Sequence, residues 1–460
     1  MRSAVLLCGL IMLGANSCAI FKSHAPKPAP RKPIYSGRTA TLEITGGISV
    51  RGSVAMPPGF EPVPGWPPMW LMQNDDVVVA GRVGGRTEVF SFSGKNFQAR
   101  GAIGEDFGSL AGDGGIVDLA VSPDGSEIAT AVEASNPARL EIVTASIIGG
   151  GKGAPIATFD GDFAFASIVW KNNATLALTL GPESNGAPAT SEPVTAPLDQ
   201  SSESGATSTA GGLYLIDITG LGAVSHLDKI KCPLGPVNFS PNGGFAASGG
   251  TDMARAAIID VSSQACLPFG PRSPVKILGW SPDSTMLLYA GDIGPNNLPG
   301  AFRYDLKTGA TSVVAIASAS AAFASDGTLV ALGDNELTWR RLADYPNSTI
   351  KSEIALFSPV TSEITIDSLG FSGTPELLAQ SSMAFTQATD AAAIDLLFPT
   401  PKGVYRTLIE YSYPSHQAFA LASGAARGPL LMSWSHTGSM LAVLDGVGGG
   451  AKLTVFAPPR

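Results

Sequence analysis

Trp280-Ser281-Pro282-Asp283-Ser284, followed by Thr285-Met286-Leu287-Leu288-Tyr289-Ala290, carries the plan of the whole chain. An apolar run reaches a short turn and a second apolar run follows at once. Pro282 presets φ for the first turn position and Asp283 caps the turn backbone with its side chain. The last turn position is one that glycine fills without steric cost. Val121-Ser122-Pro123-Asp124-Gly125 and Phe239-Ser240-Pro241-Asn242-Gly243 repeat the pattern with that glycine in place. Phe323-Ala324-Ser325-Asp326-Gly327, Phe371-Ser372-Gly373-Thr374 and Trp434-Ser435-His436-Thr437-Gly438 are looser copies. Trp170-Lys171-Asn172-Asn173 and Met72-Gln73-Asn74-Asp75 are degenerate ones.

Each unit adds a third strand that often closes on aspartate, as in Leu213 to Asp217, Ala257 to Asp260 and Phe302 to Asp305. Four short strands in roughly 40–50 residues describe one blade of a β-propeller. A unit copied around an axis fixes the fold before any site is considered. The sequence therefore predicts an all-β chain, a propeller of eight four-stranded blades, with seven as the alternative. Two intervals between turns are long. The first contains residues 181–211, rich in Ser, Thr, Pro and Gly, with four acids and no base. Such a segment cannot bury enough apolar surface to offset its ordering entropy and is expected to be a disordered insertion. The second, before Gly438, holds extra strand-like runs at Ile394 to Phe398, Val404 to Tyr411 and Ala418 to Ala422, and is expected to be an elaborated seventh unit. The last unit has only three clear strands, so Ala40 to Ile44 or Ile48 to Val54 is expected to supply the fourth and close the ring.

These aromatic-Ser-Pro-Asp-Gly repeats resemble those of TolB-like β-propellers, modules of bacterial envelope proteins, over roughly residues 66–456. The resemblance implies the fold and an envelope setting. TolB's own role does not carry over, because the α/β domain that precedes the propeller in TolB has no counterpart in this sequence. The third-strand run Ala301-Phe302-Arg303-Tyr304-Asp305-Leu306-Lys307-Thr308-Gly309 is also similar to repeats of quinoprotein-type propellers, which leaves the subfamily open.

The first 35 residues read as an address. Arg2, the apolar run Ala4 to Gly14 and the small residues Ala15-Asn16-Ser17 form a signal peptide over residues 1–17. Small residues leading into Cys18 look like a bacterial lipoprotein signal, with Cys18 as the acylated N-terminus. Cleavage after Ser17 by ordinary signal peptidase is the alternative, since Ala15 stands where leucine is usual. Residues 18–35 form a Pro-rich, extended tether with Lys22, Lys27, Arg31 and Lys32 and no acid, suited to an anionic lipid surface. The propeller is expected over residues 36–460.

No later apolar stretch approaches the ~20 residues of a membrane span. The chain has 29 Lys and Arg against 38 Asp and Glu, and the bases of the signal and tether leave the body more acidic still. Such a body argues against nucleic acid, which demands a basic stripe. With Cys8 in the signal and Cys18 at the anchor, Cys232 and Cys266 remain, either as a disulfide or as two buried thiols. Both fall near blade junctions, which in neighbouring blades can lie too far apart to bridge.

Little in the sequence points to catalysis. His24 lies in the tether, His226 in a strand-like stretch, His416 in a loop and His436 in the last turn, and none has metal-ligand spacing. No Gly-x-Ser-x-Gly elbow exists. Asp124, Asp283 and Asp326 sit where they cap turns on their own blades, so a metal site is not expected. Gly149 to Gly151 and Gly448 to Gly450 join strands and open no helix, which argues against phosphate binding. Trp170, Trp280 and Trp434 share one repeat position and read as packing between blades, as do Trp66 and Trp70 with better exposure.

No cofactor is expected. The leading expectation is a monomeric, non-catalytic envelope scaffold that binds a protein or an envelope polymer, at the periplasmic face of the outer membrane in a diderm host. The alternative is a propeller enzyme or ligand-binder with an axial-pore site, lactonase-like or quinoprotein-like. Recognition is expected on the face opposite the Ser-Pro-Asp-Gly turns, where the 181–211 insertion and the links Cys232 to Pro236 and Pro268 to Pro274 belong.

Overall fold

Runs of β-branched and aromatic residues between Gly- and Pro-bearing turns form strands, and no helix occurs among the described residues. The computed structural model describes residues 39–46, 49–63, 65–71, 76–93, 99–102, 115–135, 138–146, 153–182, 211–219, 222–250, 255–270, 274–293, 298–316, 320–332, 353–358, 364–370, 382–426, 428, 430–446 and 450–457. The signal, the tether with Cys18, most of the 181–211 insertion and the turns expected at Met72 to Asp75 and Phe371 to Thr374 lie outside them.

Two N-terminal strands, β1 (Thr39–Gly46) and β2 (Ser49–Ala55), precede the blades. Blade I holds β3 (Glu61–Pro62), β4 (Met69–Leu71), β5 (Asp76–Val83), β6 (Arg86–Phe92) and β7 (Ala99–Ala102), with β3 and β4 on the same edge of β5. Blade II is β8 (Gly115–Val121), β9 (Glu127–Ser135), β10 (Ala138–Ser146) and β11 (Ala154–Asp160). Blade III is β12 (Ala166–Asn172), β13 (Thr175–Leu180), β14 (Gly212–Asp217) and β15 (Ala223–His226). Blade IV is β16 (Val237–Phe239), β17 (Phe245–Ser248), β18 (Ala257–Asp260) and β19 (Cys266–Pro268). Blade V is β20 (Lys276–Trp280), β21 (Met286–Ile293), β22 (Leu298–Asp305) and β23 (Thr311–Ile316). Blade VI is β24 (Ala321–Phe323), β25 (Leu329–Leu332), β26 (Glu353–Phe357) and β27 (Ile364–Gly370). Blade VII is β28 (Ser382–Thr386), β29 (Ala391–Thr400), β30 (Gly403–Ser412) and β31 (Gln417–Ala425). Blade VIII is β32 (Leu430–Trp434), β33 (Leu441–Asp445) and β34 (Lys452–Ala457), completed by β2. The fold is an eight-bladed β-propeller.

Closure uses the second of the two expected segments. β2 runs antiparallel to β34, from Ser49 opposite Ala457 to Ala55 opposite Lys452. The first segment does something the sequence does not disclose. β1 pairs parallel with β27 through Thr39 to Glu43, then with β31 through Ile44 to Gly46, and fuses blades VI and VII into one nine-stranded sheet. The seventh turn also lies elsewhere than expected. It is Gln387 to Asp390, between β28 and β29, with Asp390 in the left-handed region at φ 49°. The supposed extra strands of that unit are its ordinary second, third and fourth strands.

First strands of successive blades touch one another and form the inner ring. Middle strands are buried on both faces: Val77, Val78 and Val79 have no exposed surface and divide between two clusters, one toward blade VIII and one toward blade II. Such near-continuous apolar runs belong to sheets covered on both sides. Indole rings tie the inner ring together. Trp170 Nε1 donates to the Ala120 carbonyl of blade II, and Trp280 to the Asn238 carbonyl of blade IV, each at 3.1 Å. Trp434 donates to the Ala384 carbonyl of blade VII at 2.9 Å, and Trp70 to the Ser433 carbonyl of blade VIII at 3.1 Å. An unsatisfied indole N–H there would offset part of the stabilisation that burying the ring contributes.

Serine is the hub of the repeated turn. Ser122 Oγ accepts from the Ser126 and Glu127 amides at 3.0 Å and donates to Asp124 Oδ1 at 2.7 Å. Ser281 does the same with Asp283, while Ser240 donates to Asn242 Oδ1 and accepts from the Phe245 amide, the Gly244 amide going to Asn242 Oδ1 instead. Pro123, Pro241 and Pro282 follow the hub, and Gly125, Gly243 and Gly327 take the left-handed position at φ 66°, 66° and 82°. In blade V that position is Ser284, at φ 61°. A chain starting at residue 56 is expected to melt below the full chain and to self-associate through the exposed edge of β34, whereas one starting at residue 39 keeps the full chain's melting temperature. Calorimetry and light scattering check both.

Candidate functional site

Antiparallel pairing inside each blade puts first-to-second and third-to-fourth turns at one end, the turn face. Second-to-third turns and blade-to-blade links share the other end, the loop face. The turn face is internally bonded. The Asp124 amide donates to Asn173 Oδ1 at 3.1 Å, and the Asn242 amide to Ser284 Oγ at 3.2 Å, each from one blade's turn to the next. Ser325 donates through its amide and hydroxyl to Asp390, at 2.7 and 2.5 Å. Tyr413 donates to Asp326 Oδ2 at 2.9 Å, and His436 Nε2 lies 2.9 Å from the Trp70 carbonyl. The Ser122 hydroxyl holds the Asp124 carboxyl below its usual range, and Ser281 does so for Asp283. The turn residues are thus spread over separate blades and are not brought together into one site.

On the loop face, blades II and III form a cleft of about 260 Å³ lined by Val117, Glu133, Leu140, Phe163 and Phe165, with Ala164 and Ala166 at its edge. Its construction begins in β8. Ile116 pairs with Val132 and Asp118 with Ala131, so Val117 is the extra residue of a β-bulge. A bulge re-aims a side chain, and Val117 is 37% exposed although it sits in an inner strand. Asp118 fixes this geometry. It accepts from the Leu119 amide at 2.9 Å, the Ile168 amide of blade III at 2.8 Å and Trp66 Nε1 at 3.2 Å. Burial pushes its carboxyl up, and those donors work against the rise.

The far wall is the link from β11 to β12. The Ala164 amide donates to the Pro182 carbonyl at 2.9 Å and the Gly181 amide to the Phe165 carbonyl at 2.8 Å. Gly181 is required there, since a Cβ would stand 2.6 Å from the Phe165 ring. The described ends of the acidic insertion therefore brace the cleft. Glu133 shares its face of the sheet with Leu140 and has no ion pair among the described residues, while Arg139, on the opposite face, pairs with Glu141 at 2.7 Å. The cleft offers an apolar lining and the Glu133 carboxylate, which has no ion pair among the described residues.

Of the two states left open for Cys232 and Cys266, the disulfide is the one formed. Cys232 is bonded to Cys266 with Cα atoms 6.3 Å apart, inside the usual span. The distance closes because the link from blade III to blade IV runs back against the next blade. The Lys229 amide donates to Gln264 Oε1 at 2.9 Å and the Gly235 amide to Ser248 Oγ at 2.7 Å. A link fastened at three points is poorly suited to adaptable recognition.

Two polar groupings went unread in the sequence. Asp367, buried in β27, accepts from Tyr411 Oη at 2.5 Å and pairs with His416 Nδ1 at 2.7 Å. Burial, then Asp367, raises the Tyr411 hydroxyl far above its ordinary range. Between blades VII and VIII, Arg406 pairs with Asp395 at 2.7 Å and also donates to the Gly428 carbonyl. Glu410 lies on the same side of β30, and burial pushes its carboxyl up to about 7. Its Oε2 is buried without a hydrogen-bond partner. A charge inside an apolar strand (Ile364-Thr365-Ile366-Asp367, Leu408-Ile409-Glu410) was the available signal. Both groupings tie elements together. His226 stacks on Tyr214 with ring centres 4.4 Å apart, and burial lowers its affinity for a proton. No group of three or more His, Cys, Asp and Glu side chains converges among the described residues.

Glu410 gives a pH signature. Its folded-state pKa lies above the unfolded value, so the group stabilises relatively when neutral and the chain loses stability as pH rises from the ordinary carboxylate range through 7. Glu410→Gln is expected to be more stable than wild type by about 2 kcal/mol at pH 8, with the difference narrowing by pH 5. Urea unfolding at the two pH values measures it.

No protein-family model matches the sequence, and no curated protein matches it. Solved structures do match in fold. Sqt1 of Chaetomium thermophilum, solved with the N-terminus of ribosomal protein L10 bound, shares 12% identity at a TM-score of 0.50, over 92% of this chain and 100% of that one. An oligogalacturonate lyase from Vibrio parahaemolyticus shares 11% at 0.48, over 90% and 99%. The Cps50 (Swd1) propeller domain of Myceliophteria thermophila shares 9% at 0.43, over 90% and 100%. The chain is similar to these β-propellers in architecture, and the similarity is one of fold.

Proposed function

We propose that this propeller is a non-catalytic protein-binding scaffold of the TolB-like kind, held at the bacterial envelope by a lipid on Cys18, with its partner on the loop face. The observation that carries the reading is the contrast between the two ends of the ring. Turn-face polar groups are largely engaged by neighbouring turns, whereas the loop face carries an apolar cleft whose carboxylate, Glu133, has no ion pair among the described residues. Rigid scaffolds with one elaborated face place recognition on that face. Sqt1 holds a protein segment on the same general fold, a likeness that speaks for the architecture and leaves the partner's identity to experiment.

The anchor reading rests on Cys18 after a short apolar signal and on the basic, Pro-rich residues that follow it. One acyl chain alone binds membranes weakly, and a polybasic segment beside it strengthens the hold. On this reading the protein sits at an envelope membrane, the periplasmic face of the outer membrane in a diderm host. Cys18→Ser is expected to move the protein from the membrane to the soluble fraction, and unchanged partition rejects the anchor. In capture from solubilised envelope, Val117→Asp is expected to lose partners that wild type and Lys307→Glu, altered on the turn face, retain. The reverse pattern rejects the loop-face reading.

A further inference from the structure

Resting on the loop-face reading, we infer that the cleft between blades II and III receives one apolar side chain of a partner polypeptide, and that Glu133 pairs with a lysine or arginine beside that side chain. Size is the first argument. At about 260 Å³ the cleft falls below the roughly 300–1,000 Å³ of pockets that enclose drug-sized ligands or cofactors. It suits a single anchoring side chain, the unit that dominates most protein interfaces.

Rigidity is the second. Phe163 and Phe165 stand on a link whose neighbouring backbone is paired to Gly181 and Pro182. Val117 is held out by a bulge that Asp118 pins to blade III. A preformed cleft avoids the ordering cost of a flexible loop, so one anchor binds usefully.

Charge fixes the partner's chemistry. Glu133 is half-buried beside apolar side chains, Arg139 is already paired with Glu141 at 2.7 Å, and Asp160 and Asp162 add negative charge to the adjoining link. When an apolar group covers the cleft, Glu133 loses water. A carboxylate buried without a partner is strongly unfavourable, so the occupant has to bring a cation within reach. Acidic or phosphorylated segments are repelled by the same groups.

The test is selection of random 12-residue peptides on phage against the full chain. Peptides with an aromatic or aliphatic residue within two positions of Lys or Arg are expected to be enriched. Glu133→Lys is expected to invert the neighbour preference to Asp or Glu while keeping the apolar residue, a gain that misfolding cannot mimic. Val117→Asp is expected to weaken the selected peptides about tenfold, the loss of one anchor. Failure to enrich this pairing, or a preference unchanged by Glu133→Lys, overturns the proposal. Hydrogen exchange on the bound complex separates the two readings. Protection elsewhere on the loop face removes the cleft alone, while protection confined to the turn face removes the loop-face reading with it.

Discussion

A ring of eight blades has to close, and here closure depends on backbone bonds between β2 and β34. Ser49 lies opposite Ala457, and without that strand the backbone of β34 is left with an open edge. The same junction is fastened on the inner ring by the Trp70 indole on the Ser433 carbonyl and by His436 on the Trp70 carbonyl. β1 extends the fastening to blades VI and VII. Contacts of such long sequence separation are slow to form, and each hydrogen bond contributes only about 1 kcal/mol net. The ring holds because many such bonds form together once it is closed.

Closure also explains why the two ends of the ring are so different. Neighbouring blades meet at fixed angles, so short turns at one end come within hydrogen-bond reach of each other and their serine, aspartate and asparagine side chains bond across the junctions. Gly438 shows how close that approach is, since a Cβ there would stand 2.6 Å from Thr389 Oγ1. At the other end the links vary in length and path. One is cross-linked by Cys232 and Cys266, and another leaves a gap over Val117.

The repeat was legible because Pro, Asp and Gly each have one physical reason to occupy a tight turn. Where those residues are missing the reading slipped. Gln387-Ala388-Thr389-Asp390 has neither Pro nor Gly, and Asp390 takes the left-handed position unaided, so the sequence carries no turn signal there and Phe371 to Thr374 resembles the repeat more closely. The serine hub is not legible as such, although serine opens every strong copy, because its role lies in amides four and five residues ahead. The cleft was not legible at all. Val117 reads as one more buried strand residue, and its display follows from a register shift that only pairing with β9 creates. Glu133 likewise acquires meaning only when the link at Phe163 is laid beside it.

Recognition at the loop face of a closed ring is the central claim. Its most direct measurement places a photo-activatable amino acid at Ala164, exposed at the cleft, or at Lys307, exposed on the turn face, in the full chain in intact cells. The account predicts a cross-linked adduct of defined mass from position 164 and none from 307. An adduct from 307 alone would contradict it.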